Sequence, residues 1–330
     1  MHDRYGRRID YLRISITDKC NLRCSYCMPV DIKSLPMDQI LSFEEIAMVA
    51  EEAAGLGIEK IKLTGGEPLV RRDFYKLVSM LKKIPGIKNV TMTTNGVLLK
   101  DCLDRICDAG IDGINLSLDT LDEKRYAYLT GFDRLKQVKE GLYAALNLRV
   151  RVKINAVTPD WDETASDLSD VFRLIELSEK EPLDVRFIEM MPIGFGKGFK
   201  AISHDILIPA IKSRYENMTV DDSKKGNGPA IYYRIPGHRG RIGFISPIHG
   251  KFCQSCNRIR LTTRGYLKGC LCYDTGADLR EILRSGLADG KKREAVRKQM
   301  ENVILCKPAS HCFSDEKGIS EKHAMSAIGG

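Results

Sequence analysis

The sequence predicts an α/β fold built on a parallel sheet. Over the first 190 residues, short β-branched runs alternate with longer amphipathic stretches, which is the signature of strands joined by helices. The turns between them carry Gly, Asp, Pro or Asn. Size and composition agree: 330 residues, 43% hydrophobic and 29% charged, make one large domain or two of ~150 residues and exclude wholesale disorder.

Residues 11–17 form the first strand. Ser42 followed by Glu45 reads as a capping box, opening a helix that ends near Gly55. Strands at 60–64, 89–94, 113–118, 151–157 and 184–189 follow, with helices at 73–83, 101–109, 134–146 and 166–179. Such alternation implies parallel strands with right-handed crossovers. Six units are two short of a full (β/α)8 barrel, so a doubly wound sheet and a partial barrel both fit. After Pro192 the alternation stops. A glycine loop at 194–198 precedes a helix at 203–215, blemished by Pro209. Residues 230–235 and 241–246 read as an antiparallel pair, 253–272 as a cysteine-rich segment, and 277–286 and 289–303 as helices. The stretch from 306 onward is polar. A boundary near residue 195 gives domains 1–195 and 196–330.

The chain holds 11 cysteines. Its charged N-terminal residues and the lack of any ~18-residue apolar run lead us to expect a cytoplasmic location, where thiols serve metal or redox chemistry rather than disulfides. A net charge of +8 asks for an anionic partner without naming it. Cys20-x3-Cys24-x2-Cys27 lies just past the first strand. A structural zinc wants four ligands and none other is near, whereas a [4Fe–4S] cluster on three thiolates keeps one iron open. Cys253-x2-Cys256-x13-Cys270 repeats the trio. There Cys272 or His249 leaves a zinc site as an alternative to a second cluster. Cys102 and Cys107 read as core, Cys272, Cys306 and Cys312 are assigned no ligand role, and His311 and His323 read as surface residues.

With Tyr26 before its third cysteine, the first trio resembles the radical SAM superfamily, and Gly65-Gly66-Glu67-Pro68 resembles that superfamily's motif for the amino group of S-adenosylmethionine (SAM). Residues 186–191, 243–247 and 252–262 and the terminal Gly329-Gly330 resemble the GTP 3′,8-cyclase family of molybdenum-cofactor biosynthesis, across nearly the whole chain. The resemblance implies a partial (β/α)6 TIM-like barrel of the radical SAM type, with a C-terminal extension carrying a second iron–sulfur cluster. It implies two [4Fe–4S] clusters, on Cys20, Cys24 and Cys27 and on Cys253, Cys256 and Cys270. SAM is then expected at Tyr26, Gly65, Gly66, Glu67, Ser117 and Met191. GTP, with or without Mg2+, is expected at Arg13, Lys62, Thr93, Lys153, Arg186, Arg258, Ile259 and Arg260. Gly329 and Gly330 are expected to reach the active site. Where Lys62 stands the family commonly has Arg.

The implied chemistry is reductive cleavage of SAM to a 5′-deoxyadenosyl radical, abstraction of the 3′ hydrogen of GTP, and closure of C3′ onto C8. No side chain is expected to act as the catalyst. Implied partners are an electron donor of unknown identity and hand-over to cyclic pyranopterin monophosphate synthase, with no nucleic acid and no membrane, in a monomer or homodimer. The strand positions of Arg13, Lys62, Lys153 and Arg186 support an anion site independently, because cations inside a barrel are costly unless they face a polar cavity. Two other readings are a peptide-modifying radical SAM enzyme with an auxiliary cluster, and a zinc-bearing, basic RNA-binding module.

Overall fold

A computed structural model describes residues 1–28, 34–148, 150–160, 167–223, 226 and 228–329. The first six strands are β1 (Tyr11–Ser15), β2 (Lys60–Thr64), β3 (Asn89–Thr94), β4 (Gly113–Ser117), β5 (Val152–Asp160) and β6 (Asp184–Glu189). They pair in sequence order, all parallel. β7 (Lys200–Ala201) pairs antiparallel with β5. Beyond it come β8 (Thr219–Asp221), β9 (Ile231–Arg234), β10 (Ile242–Ile245), β11 (Arg258–Leu261), β12 (Tyr266–Lys268) and β13 (Gly276–Asp278). The expected antiparallel pair is β9 against β10. β10 in turn adds parallel to β6, and β11 adds parallel to β1. The two strands lacking from a full barrel are therefore supplied by the C-terminal region. The sheet stays open: its path runs β13-β12-β11-β1-β2-β3-β4-β5-β6-β10-β9-β8.

The helices are α1 (Phe43–Gly55), α2 (Phe74–Lys82), α3 (Leu99–Asp108), α4 (Glu123–Thr130), α5 (Leu135–Asn147), α6 (Ser169–Lys180), α7 (His204–Arg214), α8 (Leu279–Leu283), α9 (Asp289–Leu305) and α10 (Met325–Ile328). α1 starts on the expected capping box, with the Glu45 N–H 3.1 Å from Ser42 Oγ and the Ser42 N–H 2.7 Å from the Glu45 carboxylate. α4 was not anticipated. Asp122 caps it by accepting the Arg125 N–H, and Gly131 closes it in the left-handed conformation.

Alternation along the strands sorts the two faces of the sheet. Leu12, Ile14, Ile61, Leu63, Val90, Met92, Ile154 and Phe187 are fully buried in the main apolar core. The intervening residues carry the charge and hydroxyls described below. α9 lies along α1, where Arg293 and Arg297 pair with Glu51 and Glu52. The stretch after 306 is less polar than its composition suggests, because Phe313, Ile319 and Ile328 join Ile193 and Leu271 in a satellite core. Among the described residues no helix is long and apolar enough to cross a membrane.

Candidate active site

The polar face of the sheet and the loops at both ends of its parallel strands enclose a cavity of about 380 Å³. Both cysteine trios line it.

Cys20, Cys24 and Cys27 lie on the loop after β1. Cys20 Sγ accepts the Leu22 N–H at 3.4 Å and the Asn95 side-chain N–H at 3.7 Å. Burial pushes the Cys27 thiol up to about 12, and the nearby Cys20 adds to the effect. Cys24 is raised well above the usual thiol range by burial, then by Cys27, Asp119 and Cys20. Three thiols this reluctant to ionise alone become ligands where a cationic core supplies the opposing charge. Tyr26 donates to Asp119 at 2.6 Å, and Asp119 also accepts the Val157 N–H, which ties the loop to β4 and β5. Burial raises Asp119 to about 6 despite these bonds.

Gly65 and Gly66 of the 65–68 turn line the cavity and also meet the loop after β1 at close range. A Cβ at 66 would stand 2.3 Å from the Lys19 carbonyl oxygen, and one at 65 would stand 2.4 Å from that of Thr17. They let backbone pack at close range: the Gly66 N–H donates to the Thr17 carbonyl at 2.7 Å and the Glu67 N–H to the Lys19 carbonyl at 2.8 Å. Glu67 is buried and accepts from Thr94 Oγ1, Leu69 N and Asn95 N. Burial lifts it to about 7 against those three donors. Spare lone pairs leave the carboxylate able to accept from an ammonium as well. Ser117 and Met191 line the same cavity.

Cys253, Cys256 and Cys270 stand on the opposite wall. The His311 N–H donates to Cys253 Sγ at 3.4 Å. Arg258 reaches Cys256 Sγ at 3.8 Å, with its guanidinium 4.8 Å over the Phe252 ring. Burial acts to raise Cys256, but Arg258 and Lys307 outweigh it and bring the thiol down to about 6. The two alternative zinc ligands are engaged elsewhere. The Cys272 sulfur is 3.3 Å from that of Cys312, and the His249 ring is 2.9 Å from Glu189. Among the described residues, the three ligating side chains whose ligand atoms lie within 4.8 Å of one another are Asp274, Glu321 and His323. There Lys268 already supplies the cation, paired with Glu321 and with Asp274. Neither cysteine trio is drawn as tight as one tetrahedral zinc with ~2.3 Å Zn–S bonds demands. Three thiolates on three irons of one cluster need no such convergence. The donor sets therefore fit clusters and not zinc.

Between the trios lie the cations. Arg13 pairs in register with Lys62 on one side and Arg260 on the other. Lys62, Lys153, Arg186 and Arg260 are buried and all line the cavity. Burial holds Lys62 well below its ordinary value, and Arg13, Arg186, Lys153 and Arg258 push it further. Arg260 is lowered by burial, then by Arg13 and Arg258. Arg186 is fixed by Asn115 at 2.5 Å, while its Nε has no hydrogen-bond partner among the described residues. Gly243 makes room for it, since a Cβ there would be 3.0 Å from Arg186 Cγ. Lys153 differs, being paired with Asp184 at 3.0 Å and bonded to the Tyr232 hydroxyl at 2.9 Å. Thr93 lines the cavity beside Asn115. The Ile259 side chain is fully buried in the apolar core, on the face opposite Arg258 and Arg260, so what it offers a ligand is its backbone.

Gly329 comes against Ser15 and Thr64, and its carbonyl accepts from Arg260. Gly330 lies outside the described residues. His311 is buried, not superficial, whereas the His323 side chain is 60% exposed. Cys102 and Cys107 pack partly buried against the core, and Cys306 is exposed. Sequence reasoning missed Asn95, Asp119, Asn115 and Lys307. Asn95 alone had a local signal, the Asn-Gly turn after β3.

The Radical SAM superfamily profile matches residues 14–175, and the Molybdenum Cofactor Synthesis C profile matches residues 183–313. A GTP 3′,8-cyclase of Clostridium perfringens (strain SM101 / Type A) is 42% identical over 331 residues, covering the whole of both chains. A GTP 3′,8-cyclase of Syntrophomonas wolfei is 42% identical over 338 residues, again covering both chains fully. Streptococcus suis SuiB bound to S-adenosylmethionine shares the fold at a TM-score of 0.63 and 14% identity, covering 96% of this chain and 76% of that one. Two thiol trios facing each other across a cation-lined cavity, on a chain that matches such relatives end to end, lead to one assignment: the chain belongs to the GTP 3′,8-cyclase family of radical SAM proteins.

Proposed function

We propose that this chain converts GTP to (8S)-3′,8-cyclo-7,8-dihydroguanosine 5′-triphosphate, the first step of molybdenum-cofactor biosynthesis. Cys20, Cys24 and Cys27 would hold one [4Fe–4S] cluster, and Cys253, Cys256 and Cys270 a second. Together with SAM, these cofactors supply the electron and the radical chemistry.

The protein's part is binding, positioning and exclusion. The observation that carries the reading is the row Arg260–Arg13–Lys62, with Arg186 and Arg258 beside it. Lys62, Arg186 and Arg260 are buried together there without a carboxylate partner among the described residues, and a triphosphate would relieve their repulsion. Lys62 makes no ion pair among the described residues, so its charge is available to an anion. The orphaned Arg186 Nε is a donor awaiting an acceptor. With the phosphates held among the strands, the sugar and base lie between the two trios, which is the orientation the reaction needs. Met190, Ile193, Phe252, Leu271, Phe313 and Met325 give the cavity an apolar wall that keeps water from quenching a radical. Tyr26, Ser117, Met191 and the 65–67 turn surround the first trio and form the site for SAM.

The same reading places the enzyme in the cytoplasm, as a monomer or homodimer served by an electron donor. It passes its product to cyclic pyranopterin monophosphate synthase. The test is incubation of anaerobically reconstituted protein with GTP, SAM and dithionite. 5′-Deoxyadenosine and a cyclised nucleotide are expected together, and absence of both sinks the proposal.

A further inference from the structure

We infer that Lys307 is the positioning residue of the second cysteine site: its ammonium joins the two segments that carry Cys256 and Cys270, and gives the cluster held there a fixed positive charge. The inference rests on the reading that this trio binds a cluster.

Lys307 is 3% exposed. Its Nζ donates to the Arg258 carbonyl at 3.0 Å and to the Gly269 carbonyl. Arg258 is two residues past Cys256, and Gly269 immediately precedes Cys270, so one side chain spans both ligand-bearing segments. The approach is tight, because a Cβ at 269 would stand 3.3 Å from Lys307 Cα and 3.3 Å from the Val303 carbonyl oxygen. Lys307 follows directly on the end of α9, where its N–H donates to the Ile304 carbonyl at 3.2 Å. That helix sets its position.

An ammonium has three donors, and a buried one is costly unless an anion stands near. Among the described residues no carboxylate pairs with Lys307. It lines the same cavity as Cys253, Cys256 and Cys270, and its bonds to the Arg258 and Gly269 carbonyls place the ammonium between the segments that carry Cys256 and Cys270. Three thiolates around a [4Fe–4S]2+ core carry a net negative charge, which grows when the core takes an electron. A fixed cation at this spot therefore favours assembly of the second cluster and its reduced state. At the first trio the hydrogen bonds to Cys20 Sγ come instead from the neutral donors Leu22 N and Asn95 Nδ2.

The two roles separate by substitution in the reconstituted holoprotein, read by iron content and by EPR-monitored potentiometry. Lys307→Gln keeps a donor and loses the charge. It is expected to retain about eight irons per chain, four per cluster, while the second cluster's reduction equilibrium falls about tenfold, or about 59 mV for one electron. Lys307→Met loses charge and donor, and its iron should fall toward about four per chain, with the SAM-dependent EPR change of the first cluster intact as the internal control for folding. Lys307→Arg should restore the potential. Unchanged potential in Lys307→Gln together with full iron in Lys307→Met would overturn the inference. A wild-type protein with only about four irons would instead overturn the reading of the site, and the inference with it.

Discussion

The two cysteine sites offer the same three thiols and are built in different ways. The first occupies residues 20–27; Cys20 Sγ accepts from neutral donors of its own loop and of the end of β3, and the Ser326 backbone N–H favours the Cys27 thiolate. The second spreads over residues 253–270 and is held by both ends of the chain. Arg7 donates to the carbonyls of Cys253, Pro308 and Ala309, Lys307 bridges Arg258 and Gly269, and the His311 N–H reaches Cys253. The electrostatics part at one thiol: burial dominates at Cys24, Cys27 and Cys253, which are all raised, whereas Arg258 and Lys307 bring Cys256 down to about 6. Each pattern suits its ligand. SAM brings its own positive charge and needs no further cation, while a nucleotide triphosphate is drawn to the arginines next to the second trio.

Removing one thiol from each side is the severest way to break that comparison. Cys24→Ala should lose 5′-deoxyadenosine and cyclised nucleotide completely, with iron falling by about half (one cluster of two). Cys256→Ala should lose a similar share of iron and all cyclised nucleotide, yet still form 5′-deoxyadenosine slowly. If SAM cleavage disappears equally in both variants, the sites act as one unit and the division is wrong.

A smaller effect is expected at the N-terminus. The Arg7–Asp3 pair is 2.6 Å long, with side chains 5% and 0% exposed. Arg7→Met leaves Asp3 as an uncompensated buried charge and frees three carbonyls, a loss of about 3–5 kcal/mol. Iron at the second site should drop while that at the first stays. Equal loss from both would show that Arg7 supports the fold as a whole and not one site.

This contrast also decides what could be read from the residues alone. The first trio, the capping box of α1 and the alternation of Arg13, Lys62 and Arg186 with apolar neighbours are local patterns, and local patterns survive in a sequence. β11 against β1 pairs residue 258 with residue 11, and no spacing announces such a partnership. Arg7, Lys307 and His311 were invisible for the same reason: each acts on the second trio from far along the chain. At Gly66 the contact is equally non-local, since the Lys19 carbonyl leaves no room there for a Cβ. The side chain of Ile259, by contrast, follows a local rule, because the two-residue period of a strand turns it into the core between Arg258 and Arg260.

The mildest test concerns Glu67, at the first site. Burial raises it from an ordinary carboxyl value to about 7. Between about pH 4.5 and 7 the unfolded chain therefore holds fewer protons there than the folded one, so stability falls as pH rises through that window and is flat above it. A shift of this size corresponds to about 3 kcal/mol. Glu67→Gln cannot ionise and has no such slope. Its amide, however, must set an N–H against the donors of Leu69, Thr94 or Asn95, at a cost of about 1–3 kcal/mol. Urea unfolding of the holoprotein without SAM should find the variant weaker than wild type at pH 5, with the gap closing by pH 8. Saturating SAM then discriminates between two uses of the carboxylate. An ammonium on Glu67 favours its charged form, so wild type should gain more from SAM at pH 8 than at pH 5, and Glu67→Gln should gain equally at both. Equal gains in wild type would confine Glu67 to bracing the turn after β2 against the loop after β3.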